Sequence, residues 1–304
     1  MQSKFINYGL ATLAGVMLSG SVLAQDLTGT LKKIKETGSI SIGHRDASVP
    51  FSYYDDKQQA VGYAMDICAY IVADIQRELK MPKLEIKYNP VTSATRIPLI
   101  ANGTIDLECG STTNNAERQK QVSFAPTYYL TASRYVSKKS SGITDIASLK
   151  GKTVVSTAGT TNLKQVSEAN TALNLGLTIL TAKDHPEAFL MVDTGRAAAF
   201  VMDDILLAGL VASSKAPAEF VISSDAFSKP EPYAAMMPRG DEAFKKVVDA
   251  SASKLYKSAE MQTLYSKWFE KPIPPKGLVM NQPMTPTLKK ALANPTDNPD
   301  PSSY

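Results

Sequence analysis

The residues able to do chemistry in this chain sit in short polar clusters, each directly after a run with strand character. Gly43-His44-Arg45-Asp46 ends one such run. Gly110-Ser111-Thr112-Thr113-Asn114 ends another, with Glu117 three residues past Asn114 in the spacing of a helix capping pair. Thr157-Ala158-Gly159-Thr160-Thr161, Ala182-Lys183-Asp184-His185 and Asp203-Asp204 complete the set. In open α/β sheets, ligands lie beyond the carboxyl ends of strands, where helix N-termini expose unpaired N–H groups. Cations such as Arg45 and Arg96, hydroxyls, backbone donors and one acid on such a rim suit a small zwitterion. Each residue also has a plainer role. Ser and Thr before a helix are usually N-caps, a lone Arg usually lies on the surface, His185 before Pro186 can simply begin a helix, and Asp203 can be a cap. Those roles leave unexplained why a polar, small-residue cluster follows nearly every strand.

Strands alternating with helices would position these clusters. A short amphipathic helix at 27–37 precedes a strand at 39–43. A helix at 62–80 follows, whose Cys68, Ile71, Ile75 and Leu79 recur at spacings of three and four. A strand at 84–88, a helix at 96–102 stopped by Gly103, and a buried strand at 104–109 complete a first set. A second set has strands at 153–156, 177–180 and 198–202 with helices at 161–168 and 186–194. The pattern predicts largely parallel sheets covered on both faces. Two long β-rich segments, 123–138 and 223–238, read as crossover strands between two lobes. The helices at 241–256 and 259–269 read as cover for the first lobe, and the proline-rich stretch 271–304 as a surface wrap with a frayed end. The divisions are 25–128 with 231–304 for lobe 1, and 129–230 for lobe 2.

The chain has 304 residues, 43% hydrophobic and 20% charged, an ordinary globular composition that excludes disordered and fibrous classes. Lys and Arg total 33 against 29 Asp and Glu, a net +4, and the cations are scattered rather than massed in a stripe. Nucleic acid is therefore not an expected partner. Residues 1–24 carry Lys4, a short apolar stretch and small residues at Val22 and Ala24, the form of a cleaved secretory signal peptide. No Cys follows the cleavage point to carry a lipid anchor. Export would place Cys68 and Cys109 in an oxidising compartment, where they either bridge or remain two buried thiols in one core. Two Cys and two His, far apart in sequence, make no metal site, and no cofactor is called for. A Ser–His–Asp hydrolase would need a G-x-S-x-G turn, and neither His44 nor His185 has such a partner.

The segments GHRDASVPFSYYD, VGYAMDICAYI, VTSATRIPLIANGTIDLECGSTTNNAERQKQVSFA, TAGTTN, AKDHPEAF, GRAAAFVMDD and KWFEKPIPPKGLVMN resemble the bacterial family 3 solute-binding proteins. TSATRIP, ECGSTTN and PIPPK resemble more narrowly the glutamate/aspartate-binding branch that feeds ABC importers. One departure is Ala64, where the broad family usually carries an acidic residue; it touches no ligand position. The resemblance implies a two-lobed type II periplasmic binding protein, a monomer, with an α/β sheet in each lobe and two crossover strands. It implies no enzyme activity, L-glutamate or L-aspartate as ligand, and a membrane permease as partner. The rival class is a periplasmic dehydratase-type enzyme acting on small cyclic carboxylates.

The family pattern implies that Arg96 grips the α-carboxylate, helped by N–H groups near Thr113 and Thr161, and that Asp203 takes the ammonium. Ser93, Arg45 and His185 would read the distal carboxylate, with Ser111 at the neighbouring lip. Thr112 and Thr160 would be helix caps. Two guanidiniums, one carboxylate and a doubly acidic amino acid of net charge −1 sum to zero with His185 neutral, as burial demands.

Overall fold

The computed structural model describes Met1 and residues 27–304. Apart from Met1, the signal peptide expected at 1–24 lies outside the described residues. Helix α1 (Gly29–Thr37) ends at Gly38, whose φ of 69° suits the left-handed cap. Strand β1 (Ser39–His44) is followed by β2 (Ala47–Ser48), β3 (Ser52–Tyr54) and β4 (Ala60–Val61), which pair antiparallel as a small separate sheet. Helix α2 (Tyr63–Glu78) buries Cys68, Ile71, Val72 and Ile75, so the three-and-four spacing does mark its inner face. Then come β5 (Glu85–Pro90), α3 (Arg96–Ala101), β6 (Leu107–Cys109), α4 (Ala116–Gln119) and β7 (Val122–Phe124). β1 lies parallel to both β5 and β6.

Strand β8 (Tyr129–Thr131) leads to β9 (Ser133–Lys138), β10 (Thr153–Thr157), α5 (Thr161–Ala172), β11 (Thr178–Ala182) and α6 (His185–Asp193). β12 (Ala199–Asp203), α7 (Asp204–Ser213) and β13 (Phe220–Ile222) follow. This second sheet has the order β11-β10-β12-β9-β13. β10 is parallel to its two neighbours, while β9 runs antiparallel to β12 and β13. The chain returns through β14 (Glu231–Tyr233), antiparallel to β8, and β15 (Met236–Pro238), which enters the first sheet to give the order β5-β1-β6-β15-β7. Helices α8 (Glu242–Tyr256) and α9 (Ala259–Phe269) pack on α2.

The two crossover segments are thus more broken than predicted. Only β8 and β14 form the two-stranded ribbon between the sheets, where the missing N–H of Pro232 interrupts no wider ladder. Aromatic rings fill its base: Phe51 lies 5.0 Å from Tyr129 and 5.2 Å from Tyr233, and Tyr129 stacks on Phe269 at 5.1 Å. Cys68 and Cys109 form a disulfide with their Cα atoms 6.2 Å apart, tying α2 to the end of β6. Closing a loop of 41 residues' separation raises the free energy of the unfolded chain by about 4 kcal/mol on the loop-closure model, through lost entropy.

The C-terminal stretch wraps the surface but does not fray. It forms α10 (Pro286–Ala293), Thr127 N–H donates to Thr296 O at 2.9 Å, and the Thr127 and Tyr304 hydroxyls are 2.7 Å apart. Among the described residues no helix is long and apolar enough to cross a membrane.

Candidate functional site

The strand ends of both sheets converge on one nearly closed cavity of about 10 Å³, room for about one water molecule. On the first-sheet side, Arg45 follows β1 and its N–H donates to Ser52 Oγ at 2.8 Å. Its guanidinium is buried, with Nη1 lacking a hydrogen-bond partner among the described residues. Burial, and then the charge of Arg96, lower its pKa to about 10. Arg96 opens α3, and its Nη1 donates to Ser111 O at 3.0 Å and to the Thr112 hydroxyl. Thr112 in turn donates to Glu108 Oε2 at 2.7 Å. Thr112 is therefore no cap, and α4 is capped by Asn115, which accepts from Arg118 N–H at 2.9 Å. The predicted Asn114–Glu117 capping pair does not form: Asn114 donates to Asp297 O at 2.8 Å instead. Glycine makes this crowding possible. A Cβ on Gly110 would come 2.3 Å from Glu108 Oε1 and 2.9 Å from Arg45 Cγ.

On the second-sheet side, Thr160 does cap α5, accepting from Leu163 N–H at 3.2 Å. Gly159, at φ +76°, brings the two sides within backbone contact, since a Cβ there would lie 2.6 Å from Ala94 Cα. His185 begins α6, capped by Asp184, and sets Nδ1 2.9 Å from Thr157 Oγ1, with Nε2 buried and unpartnered. Burial first, then Arg45 and Arg96, hold its pKa well below the usual imidazole value, so the ring is neutral. Asp203 ends β12 at the N-cap position of α7 but makes no side-chain cap bond. Its Oδ1 accepts from Asn162 Nδ2 at 2.8 Å and its Oδ2 from the Tyr233 hydroxyl. Burial raises the Asp203 pKa while both hydrogen bonds oppose the rise.

Arg118, on α4, spans the two sides. Its Nη1 donates to Thr113 O at 2.8 Å and its Nη2 to Gly159 O at 3.2 Å. Burial, then repulsion from Arg96, lower its pKa to about 9.

These polar clusters, seated at strand ends on two α/β sheets, coincide with a sequence match that spans most of the chain. The sequence model of the bacterial extracellular solute-binding proteins, family 3, matches residues 40–271. The chain belongs to that family. It is 50% identical over 286 residues to an L-glutamate/L-aspartate-binding protein of Pseudomonas aeruginosa, covering 94% of each chain. It is 42% identical to the glutamate/aspartate import solute-binding protein of Escherichia coli K12, covering 94% of this chain and 96% of that one. Among solved structures, a mutant ArgBP from T. maritima matches at a TM-score of 0.69 and 28% identity, covering 79% of this chain and 99% of that one. The architecture is that of a type II periplasmic binding protein, two sheets flanked by helices.

For a family 3 chain, the placement of the eight predicted residues matters most. Ser93, Arg96, Ser111, Thr113, Thr161, His185 and Asp203 all line the cavity. Arg45 does not line it, but lies buried beside it and acts on His185. Sequence reasoning missed Glu108, Thr112 as a partner of Arg96, Arg118, Asn162 and Tyr233. Glu108 left one signal, an acid between Leu107 and Cys109 in a strand read as buried. Arg118 left none, because Glu117 and Lys120 beside it pair on the solvent face.

Proposed function

We propose that this chain is the periplasmic substrate-binding component of an ABC importer and traps L-glutamate or L-aspartate between two lobes for delivery to a membrane permease. The observation that carries this reading is a set of buried polar atoms with no hydrogen-bond partner among the described residues: Arg96 Nε, Ser93 Oγ, Ser111 Oγ and His185 Nε2, whose residues line one cavity, and Arg45 Nη1 beside it. Buried donors of this kind are costly unless a partner completes them, and two guanidiniums among them call for an anion. The names of the relatives support an acidic amino acid as that anion.

Charge still balances with the residues that the sequence did not reveal. Arg118 and Glu108 enter as one cation and one anion, so the protein groups keep a net +1 and a ligand of net −1 neutralises them. The cations fall into two groups. Arg96 bonds Ser111 O and the Thr112 hydroxyl with Arg45 beside Gly110, whereas Arg118 bonds Thr113 O and Gly159 O, next to the start of α5, and its charge opposes the rise of the Asp203 pKa. An amino acid carries its ammonium and α-carboxylate on one carbon. With the ammonium on Asp203, the α-carboxylate faces Arg118 and the amides near Thr113 and Thr161. The distal carboxylate then extends to Arg96, Arg45, Ser93 and His185, with Ser111 at the lip. This assignment moves Arg96 from the α-carboxylate that the family resemblance implied to the distal one.

Lobe 1 comprises 25–128 and 231–304 and lobe 2 comprises 129–230; the β8–β14 ribbon is the hinge. Closure brings Gly159 against Ala94 and lets Arg118 bond across the gap. No bond of the ligand is made or broken. The binding-protein names of the relatives favour capture over turnover by a dehydratase-type enzyme. The mature chain should act as a monomer after export by its signal peptide. Thermal-shift screening of the mature protein against the twenty amino acids tests the reading. Glutamate and aspartate should raise the melting temperature most, and a response to none of them, or to a basic residue instead, overturns it.

A further inference from the structure

We propose that Glu108 and Thr112 form a positioning relay that fixes which edge of the Arg96 guanidinium faces the ligand, and thereby sets the preference for a distal carboxylate over its amide. The inference rests on the reading of the cavity as an acidic-amino-acid site with Arg96 at the distal end.

Glu108 is fully buried at the middle of β6. A carboxylate there is destabilising unless its neighbours answer it. Its Oε2 accepts the only proton of the Thr112 hydroxyl at 2.7 Å, which turns the Thr112 lone pairs toward Arg96 Nη1. The same Nη1 donates to Ser111 O at 3.0 Å, so both of its protons are committed. Nε, by contrast, is buried with no partner among the described residues. Guanidinium is a rigid fork, and tying back Nη1 leaves the Nε–Nη2 edge to take a carboxylate with two parallel bonds. Glu108 Oε1 lies 3.9 Å from Arg96 Nη1 and, through the gap left by Gly110, beside the Arg45 side chain. The same carboxylate therefore also offsets the repulsion between the two arginines.

Calorimetry of L-glutamate and L-glutamine binding to the full mature protein tests the relay with two substitutions at one position. Thr112→Val keeps the shape and removes the hydroxyl, whereas Thr112→Ser keeps the hydroxyl and loses a methyl. The relay predicts that Val weakens glutamate about ten- to a hundredfold while glutamine changes less than about threefold, and that Ser restores the wild-type ratio. Glu108→Gln should narrow the same ratio, and the Glu108→Gln/Thr112→Val double variant should lose little more than either alone. A Val variant that binds like wild type while Ser weakens would assign Thr112 to packing and overturn the relay, and so would fully additive losses. An equal loss for both ligands would place Arg96 away from the distal group and overturn it as well. Wild-type protein that binds neither amino acid would overturn the functional reading instead, a distinct result. Should the Glu108 variant fail to fold, the Thr112 pair decides alone.

Discussion

The two ends of the cavity are built on opposite plans. At the Asp203 end the two charged groups given to the ligand are already answered: Asp203 accepts from Asn162 and Tyr233, and Arg118 donates to two backbone carbonyls. At the Arg45–Arg96 end, Arg45 Nη1, Arg96 Nε, Ser93 Oγ and His185 Nε2 are buried without partners among the described residues. The Asp203 end would hold the ammonium and α-carboxylate that every amino acid shares, and can be pre-organised. The other end would meet the group that tells glutamate from glutamine, and there the protein leaves its donors unanswered. Discrimination is strongest where a wrong ligand leaves buried donors unpaired, so the unanswered end is the selective one.

The largest effect should come from breaking the shared end. Asp203→Asn keeps the shape but leaves a buried ammonium unpaired, at about 3–5 kcal/mol, so glutamate and glutamine should both weaken several hundredfold or more in calorimetry. Arg45→Met should instead weaken glutamate about ten- to a hundredfold and spare glutamine, since one charge-assisted hydrogen bond is lost. If both substitutions act equally on both ligands, the division of the cavity into two ends is wrong.

A smaller, ligand-independent loss should follow Gly159→Ala. At φ +76° a side chain costs about 1–2 kcal/mol, and its Cβ would press on Ala94, so closure should weaken and both affinities should fall about tenfold. Unchanged binding would remove Gly159 from the closing contact.

The last effect falls on stability and not on affinity, and it concerns pH. Glu231, in β14, is pushed from 4.5 to about 7 by burial and then by Asp203, with hydrogen bonds from Gln165 and Ser228 and the charge of Arg118 opposing. The fold thus favours its protonated form. The stability it contributes is complete below about pH 4.5 and is lost as pH rises through about 7, by at most on the order of 3 kcal/mol. Melting temperatures of the wild type should therefore fall between pH 5 and 8 relative to Glu231→Gln, by a few degrees. Parallel curves for the two proteins would contradict the assignment.

How much of this was legible in the sequence follows the same physics. The longer elements showed because burial of one helix face leaves a three-and-four repeat, as at Cys68, Ile71 and Ile75, and burial of both strand faces leaves an apolar run. Helix α7 left no trace because DILLAGLVAS is apolar on nearly every side and packs between β9, β12 and β13. The short strands β2, β3 and β4 are too brief for any period. The site residues showed where they follow strands, since unpaired N–H groups mark such places. Glu108 lies inside a strand and Arg118 on a helix of apparently solvated charges, so their roles depend on tertiary contact alone.

The central claim, that an acidic amino acid lies between the two sheets with its distal carboxylate on Arg45 and Arg96, is tested most directly by a crystal structure of the mature protein with L-glutamate. The account predicts the ammonium on Asp203 and the distal carboxylate against the Nε edge of Arg96. A ligand lodged elsewhere, or an Arg96 guanidinium turned to bulk solvent, would contradict it.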